Sequence, residues 1–439
     1  MDSMGWRTTW LLRSCIGLAC CTHLQASNTP VPANVSTLKY QVDLRLAPEQ
    51  RWVSVLEDFI KQRGTVAFKD FFAGNLAELK LIAGDVLAYY QEHIHEFMAA
   101  YEKHLPDAFS QMMSLADVLS AHATTPEERK LFSRESVFLA QEHMEIKSIA
   151  PSQRSSVVAG APRNGECTSV VVRRPHQPVL HFRNWDFGPV PEALGTASVL
   201  VDFLDDHGGF RCLMALTHIT KLTTCMRPGA FSMSLNAREY GFGYERGRAP
   251  SEQLKLLQAG RLPREGTLQR VMRSLSYREA VEAAVRADAM TSLYVILATG
   301  QGDSDGSVVT IIGNGSQADV WPMPNARSED GWFLVQTNVD HWLSMSQHRA
   351  SSHRREHVKA KLRELGPQAS TEAFFEVLQD SSAFPVGNTG SDDGKIFRPS
   401  TVASVLMTPS KLSFSMADAW DTVLWQALPE GVGSSSLWV

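Results

Sequence analysis

A layered α+β fold is predicted for this 439-residue chain from three observations. Apolar residues recur at helical spacing from about Glu49 to Ile149. Short runs rich in Val, Ile and aromatic residues follow from Thr168 onward, and a Pro-, Gly- and Ser-rich stretch separates the two regions. Helices first, then many strands with a few helices among them, fits an α+β domain of segregated layers.

The elements are justified in chain order. Arg7, a mostly apolar run from Trp10 to Cys21, and the small residue Ala26 after Leu24-Gln25 have the shape of a secretory signal, expected at residues 1–26. Trp52, Leu56, Phe59 and Ile60 then form a short helical stripe. Leu76, Leu79, Ala83, Val86, Leu87, Tyr90, Ile94 and Phe97 form a longer one, largely at three- and four-residue steps that share a helix face. Core packing is the ordinary meaning of such stripes, and binding to a lipid surface or a partner helix is the alternative. Residues 151–166 carry two Pro, two Gly and three Ser and read as an exposed linker. Strands are expected at 168–172, 179–182, 293–299, 308–312, 333–337 and 402–407, most of them bounded by Gly, Pro, Asn or Asp. Helices are expected at 277–286 and 372–378. The Arg-, Lys- and His-rich run 348–363 reads as a solvated helix face.

Composition narrows the class. Lys and Arg number 42 against 47 Asp and Glu, a net charge of −5, which argues against a nucleic-acid partner. Apolar residues at 44% and charged residues at 20% are ordinary for a globular protein and exclude global disorder. No apolar run reaches the ~18 residues of a membrane-spanning helix. Six cysteines in a chain this long do not make a disulfide framework. Cys15, Cys20 and Cys21 lie in the expected signal, so Cys167, Cys212 and Cys225 remain, an odd number that leaves at least one thiol unpaired within the chain. Sequons at Asn34 and Asn314 fit a secretory route.

The chemistry concentrates where the linker meets the first strand. Cys167 stands at that junction, Arg183 follows 16 residues later and Asp186 19 later. Two antiparallel strands joined by a turn at 174–178 would return Arg183 to the neighbourhood of Cys167. A nearby cation favours thiolate over thiol, and a carboxylate can hold an amine. The same spacing suits a buried structural Cys with Arg and Asp as a surface ion pair, and spacing does not separate the two.

At these residues the chain resembles a known family. Cys167-Thr168-Ser169, a turn, and Arg183-Asn184-Trp185-Asp186-Phe187-Gly188 are similar to the signature of acid ceramidase and N-acylethanolamine-hydrolysing acid amidase. These are N-terminal-nucleophile cysteine hydrolases related to penicillin V acylase and bile-salt hydrolase. Further blocks resemble the family: Tyr40 to Pro48 followed by Arg51-Trp52, Arg227 to Asn236, Val335-Gln336-Thr337-Asn338-Val339-Asp340-His341-Trp342, and more loosely Thr401 to Thr408. Together they cover most of the chain from Leu38 to about Thr408, and ordered motifs at family-like separations are far more specific than one.

The resemblance implies a four-layer αββα fold with an N-terminal helical segment, made as a precursor and cut between Glu166 and Cys167. The signal at 1–26, a helical α-chain at 27–166 and a catalytic β-chain at 167–439 would follow. Cys167 would be the nucleophile, its freed α-amino group, with a pKa near about 8, serving as base. Asp186 would hold that amine, Arg183 would sit beside the acyl group and thiolate, and Asn338 would donate an amide N–H to the oxyanion. Arg238, Arg354 and Arg355 match arginines that support the family's site. The expected substrate is an N-acyl lipid, ceramide first and an N-acylethanolamine second, met at a membrane surface in a lysosomal or secreted setting. A soluble-amide acylase has less support, because such relatives usually begin at the nucleophile.

The chain also departs from the family. Glu166 stands where an apolar residue precedes the nucleophile, and Ala237-Arg238 where the family carries Glu-Arg. Glu239 would share the face of Ala237 if the strand continues, but it would lie ~6.6 Å further along. The family's C-terminal cysteines are missing. These departures keep a second class open, an uncleaved and inactive relative that binds lipid. No cofactor or metal is implied. His93 and His95 are two apart on a helix and diverge, Asp303 to Gly306 suits a hairpin turn better than a calcium loop, and Gly300-Gln301-Gly302 opens no helix to cradle phosphate.

Overall fold

The N-terminal third is built from short amphipathic helices. Strand β1 (Lys39–Asp43) leads into α1 (Val53–Arg63), α2 (Val66–Ile82), α3 (Gly84–Glu92), α4 (Ile94–His104), α5 (Pro106–Ala121), α6 (Pro126–Leu131), α7 (Arg134–Gln141) and α8 (His143–Ile149). The computed structural model describes residues 38–150, 167–187, 191–238, 247–300, 305–313, 317–343, 349–382, 395–398, 400–410 and 425–426. The expected signal, the sequons at Asn34 and Asn314, the linker with Glu166, and Glu239 and Asp303 lie outside the described residues.

The long apolar stripe is not one helix. It is broken at Ala83 and His93 into α2, α3 and α4, yet Leu79, Ala83, Val86, Leu87, Tyr90, Ile94 and Phe97 still enter a single core cluster. Apolar spacing reports which residues are buried, whereas axis continuity depends on breaks such as that before Gly84. Where helices start cleanly the reason is local. Thr125 and Glu128 cap α6 reciprocally, and Ser133 accepts from the Ser136 N–H to start α7.

The remainder carries β2 (Thr168–Val172), β3 (Leu180–Asp186), α9 (Pro191–Ala197), β4 (Ser198–Leu204), β5 (Phe210–Ala215), β6 (Thr224–Arg227) and β7 (Phe231–Ala237). Then come α10 (Pro250–Gln258), α11 (Arg264–Met272), α12 (Tyr277–Val285), β8 (Leu293–Thr299), β9 (Gly306–Ile312), β10 (Gln317–Pro322) and β11 (Phe333–Gln336). The last described elements are α13 (Arg349–Leu365), α14 (Thr371–Leu378), β12 (Thr401–Met407) and β13 (Trp425–Gln426). One sheet runs β1-β4-β5-β6-β7-β8-β9-β10 and the other β11-β2-β3-β12-β13.

Period-two alternation turns these sheets into layers. On β2, Val170 and Val172 face α13 and α14 through Val358, Leu362 and Phe374, while Val171 packs against Ile296 and Val308 of the other sheet. The outer face of the eight-stranded sheet is covered by Leu268 and Val271 of α11 and by Ala280 and Ala284 of α12. The result is the expected helix–sheet–sheet–helix arrangement, with the N-terminal helices packed on through Trp52, Phe59 and Phe71. Among the described residues no helix is long and apolar enough to cross a membrane.

One expectation is corrected. The run 348–363 is not a solvated face: Ser351, Ser352, His353, Arg354, Arg355 and His357 are buried. Helix α13 packs Val358 and Leu362 into the core, which carries its first turns beneath the strand ends where carbonyl groups receive the arginines. The hairpin strands β4, β5 and β6 carried no expectation at all. Cys212 and Cys225, opposite each other on β5 and β6, form a disulfide, and Cys167 is the free thiol among the described residues.

Candidate active site

Register delivers the arginine to the thiol. Strands β2 and β3 pair antiparallel with Ser169 opposite Arg183, so Cys167, Ser169, His181 and Arg183 all point into the space between the sheets. Arg183 Nη2 lies 3.4 Å from Cys167 Sγ. The guanidinium is fixed by carbonyls of the other sheet, with Nη1 donating to Thr223 O at 2.8 Å and Nη2 to Leu235 O, and it also meets the Thr224 hydroxyl. Arg183 is 1% exposed and Cys167 5%, so the pair is almost dry. Burial pushes the thiol up from its ordinary value, Arg183 opposes that rise and Asp186 adds to it, and the net direction is up. The sulfur therefore needs a base to react.

Arg354 makes a second arginine contact to Cys167. Its Nη2 donates to the Cys167 carbonyl at 3.3 Å and to Asn338 Oδ1 at 2.9 Å. Asn338 Nδ2 donates to Ala237 O at 2.7 Å, which engages one of its two N–H donors. Asp186 Oδ1 accepts from Thr401 Oγ1 at 2.6 Å, and the Asp186 carbonyl lies 3.8 Å from Cys167 Sγ. Of the sequence-derived candidates, Cys167, Arg183, Asp186, Asn338 and Arg354 thus converge.

Arg238 and Arg355 do not reach the sulfur. Arg238 forms a bidentate pair with Asp340, 2.7 Å from each oxygen, and Tyr294 donates to the same carboxylate at 2.6 Å. Arg355 donates to the carbonyls of Asp340 and Leu343, 3.0 Å each. Both arginines brace the turn after Asn338 from behind. Thr401, Asp340 and Tyr294 were missed at the sequence level as partners of the site, since a strand-end Thr and a turn Asp carry no local mark.

A pocket opens beside Cys167, walled by Trp185, Phe187, Leu235, Ala237 and Leu268 from the strand-rich part and by His143 and Met144 of α8. Its remaining lining includes His218, Lys221 and Arg264, and Asp186 is the one carboxylate among the described residues that line it. Ala237 presents a methyl group where a Glu was expected from the resemblance. Burial, then Lys221 and His143, hold His218 well below the ordinary histidine value, so it is neutral. Burial likewise lowers His143, although Glu78 opposes it. The same Glu78, which burial alone would raise, is held down at about 2 by His143 and Lys147. Among the described residues no cluster suits a metal ion.

No model of a known protein family matches the chain. It is 26% identical over 361 residues to N-acylethanolamine-hydrolyzing acid amidase of Mus musculus, covering 80% of this chain and 82% of that protein. The Caenorhabditis elegans protein of that name is 29% identical over 224 residues, 51% of this chain and 58% of that one. Acid ceramidase of Mus musculus is 28% identical over 199 residues, 40% and 46% of the two chains. A solved structure of the Caenorhabditis elegans amidase ortholog matches 60% of this chain and 100% of its own at 27% identity, with a TM-score of 0.44. The alignment with the mouse amidase runs across most of both chains, and a thiol and an arginine of the expected pattern meet in the buried pocket while Arg354 joins the Cys167 carbonyl to Asn338. The chain resembles N-acylethanolamine-hydrolyzing acid amidase across most of its length and acid ceramidase over a shorter stretch, and it is a hydrolase acting on linear amide bonds.

Proposed function

We propose that the protein is a self-processing cysteine amidase that cleaves the fatty-acyl amide bond of an N-acyl lipid in an acidic, lysosomal or secreted setting. The observation that carries this is the buried meeting of Arg183 with the Cys167 sulfur at 3.4 Å while Arg354 joins the Cys167 carbonyl to Asn338. Cleavage between Glu166 and Cys167 frees an α-amino group, which takes the thiol proton. The sulfur attacks the acyl carbon, and the carbonyl oxygen becomes an oxyanion stabilised by the remaining Asn338 N–H, a contact whose loss costs roughly 3 kcal/mol in comparable enzymes. The ammonium returns its proton to the departing amine, leaving a thioester. Water then adds to the thioester, the amine again accepting a proton, and fatty acid leaves as the thiol reforms. Asp186, anchored by Thr401, orients the amine, and Arg183 offsets charge on the sulfur.

The apolar pocket wall suits an acyl chain, and the helices of 27–166 contribute to it through α8. Between substrates, an N-acylethanolamine stands ahead of ceramide, because the alignment with the amidase spans twice the share of this chain that the ceramidase alignment does, 80% against 40%. Exposed Val66 and Leu81 on α2 support contact with a membrane surface.

The test is intact mass and N-terminal sequencing after incubation at acidic and neutral pH, alongside turnover of N-acylethanolamine and ceramide. A new N-terminus at Cys167 that is absent in Cys167→Ala, with fatty acid released only by the processed protein, is the expected outcome. A chain that stays whole under every condition and releases no fatty acid would sink the catalytic reading and leave an uncleaved lipid-binding relative.

A further inference from the structure

Between the two sheets runs a line of buried polar side chains. His181 on β3 has Nδ1 2.9 Å from Ser232 Oγ and Nε2 2.9 Å from Ser234 Oγ, both on β7. Ser234 Oγ lies 2.9 Å from Ser169 Oγ on β2, and Ser169 donates to Asn236 Oδ1 at 2.9 Å. Asn236 Nδ2 donates to the Gln336 carbonyl at 2.8 Å. Gln336 Nε2 in turn donates to the carbonyls of Thr337 and Val339, 2.9 Å each, which flank Asn338. All six side chains have 0% exposure.

Counting protons gives the line a single direction. A carbonyl only accepts, so Asn236 must turn its N–H toward Gln336 and its oxygen toward Ser169. The one proton of Ser169 goes to that oxygen. Ser169 therefore accepts from Ser234, which has no proton left for the ring. Nε2 of His181 must then carry hydrogen, and in a neutral ring the bare Nδ1 accepts from Ser232. Burial and the neighbouring positive Arg183 favour the neutral ring, holding His181 at about 3. Every hydrogen bond in the run from Ser232 to Asn236 has one donor and one acceptor in this arrangement, and reversing any one of them sets two donors or two lone pairs face to face.

We propose that this one-way chain is a positioning device for the oxyanion site, with His181 a positioning residue locked as its neutral Nε2–H tautomer. The chain fixes Asn236, and Asn236 and Gln336 together clasp the turn that presents Asn338. The kinetic consequence rests on the amidase reading above, whereas the tautomer and the clasp do not.

Three measurements on the full chain test it. In protein labelled with 15N-histidine, the His181 ring, assigned by its displacement in Ser232→Ala, should show a protonated Nε2 and a bare Nδ1, unchanged between pH 5 and pH 8. An Nδ1–H tautomer, or a ring that titrates in that range, overturns the chain. Amide hydrogen exchange of residues 333–343 should quicken in Ser169→Ala and return to the wild-type rate in Ser169→Thr, which keeps the hydroxyl, whereas identical rates in all three overturn the clasp. In turnover of N-acylethanolamine, Ser169→Ala should lower kcat by about 10-fold or more with KM within about twofold, and Ser169→Thr should restore it. An unchanged kcat, or a loss carried only by KM, refutes the positioning role. If the wild-type protein hydrolyses no N-acyl lipid, the amidase reading falls by itself, and the tautomer and exchange measurements still decide the chain.

Discussion

Arg238 and Asp340 offer the sharpest test of how the asparagine turn is held. Their side chains are 2% and 0% exposed, paired through two contacts of 2.7 Å, with the Tyr294 hydroxyl completing one carboxylate oxygen at 2.6 Å. Arg238→Met leaves the Asp340 carboxylate buried with Tyr294 and without its cation. Removing one partner of a buried pair typically costs about 3–5 kcal/mol, whereas replacing both by apolar groups is often close to neutral. Arg238→Met should therefore destabilise by about 3–5 kcal/mol and Arg238→Met with Asp340→Leu by roughly 1 kcal/mol or less. Tyr294→Phe deletes one hydrogen bond to a charged group and should cost about 1.5–3 kcal/mol. Urea unfolding of these three variants, of Asp340→Leu alone and of the wild type closes a double-mutant cycle, whose coupling term measures the pair directly. Asp340 lies two residues after Asn338, so the single variant should also lose kcat. A single variant within about 1 kcal/mol of wild type, or a double variant no more stable than the single, would refute the reasoning.

Three further outcomes are expected. Glu142 and Glu145 are held above the usual carboxylate range, first by burial and then by Glu265, with Glu145 adding to the rise at Glu142, despite Lys221 and Arg264. A raised native pKa means the folded state binds protons the unfolded state has released, so this contribution is complete below about pH 4.3 and is lost as pH rises through the native value. Glu142→Gln should gain stability relative to wild type as pH rises from 5 to 8, and a difference in Tm that is flat with pH would contradict it. Cys212→Ser with Cys225→Ser opens a link across 13 residues and should cost about 3 kcal/mol, read from the shift in the urea midpoint, and an unchanged midpoint would contradict it. Val66→Ser with Leu81→Ser, at side chains 63% and 60% exposed, should impair turnover of vesicle-borne substrate while leaving a soluble short-chain amide within about twofold. Equal loss on both substrates would indicate unfolding instead.

What the sequence revealed about the site follows from how far apart its parts lie along the chain. Cys167 and Arg183 are 16 residues apart across one turn, and strand pairing alone predicts their meeting. Arg354 reaches the Cys167 carbonyl across 187 residues and Thr401 reaches Asp186 across 215. No periodicity encodes such pairings. Arg354 and Arg355 were marked only by a likeness, and the basic run around them pointed toward solvent. Charge density in a helix says nothing about carbonyls waiting at the end of a sheet, and here those carbonyls decide the burial of both arginines. Strand β4 escaped notice for another reason. It follows α9 without an intervening residue, Ala197 to Ser198, so an apolar run with no turn signal hides the change of period.

The proposed cut at Cys167 also changes what the helical segment is. If it were a removable pro-segment, the pocket would have to survive its loss. His143 and Met144 of α8 form one wall of that pocket, and Trp52, Phe59 and Phe71 lie in the same core cluster as Phe203 and Leu268. Glu145 of α8 accepts from the Arg264 backbone N–H, and Tyr101 of α4 donates to Glu265, so buried polar groups are also satisfied across the division. Leaving either partner without the other exposes apolar core and strands buried carboxylates. A cleaved protein should thus remain one particle of two chains in native buffer and part only as it unfolds. The segment before Cys167 would then act as a permanent wall of the pocket, with the apolar stripes read from the sequence as core keeping that wall in place.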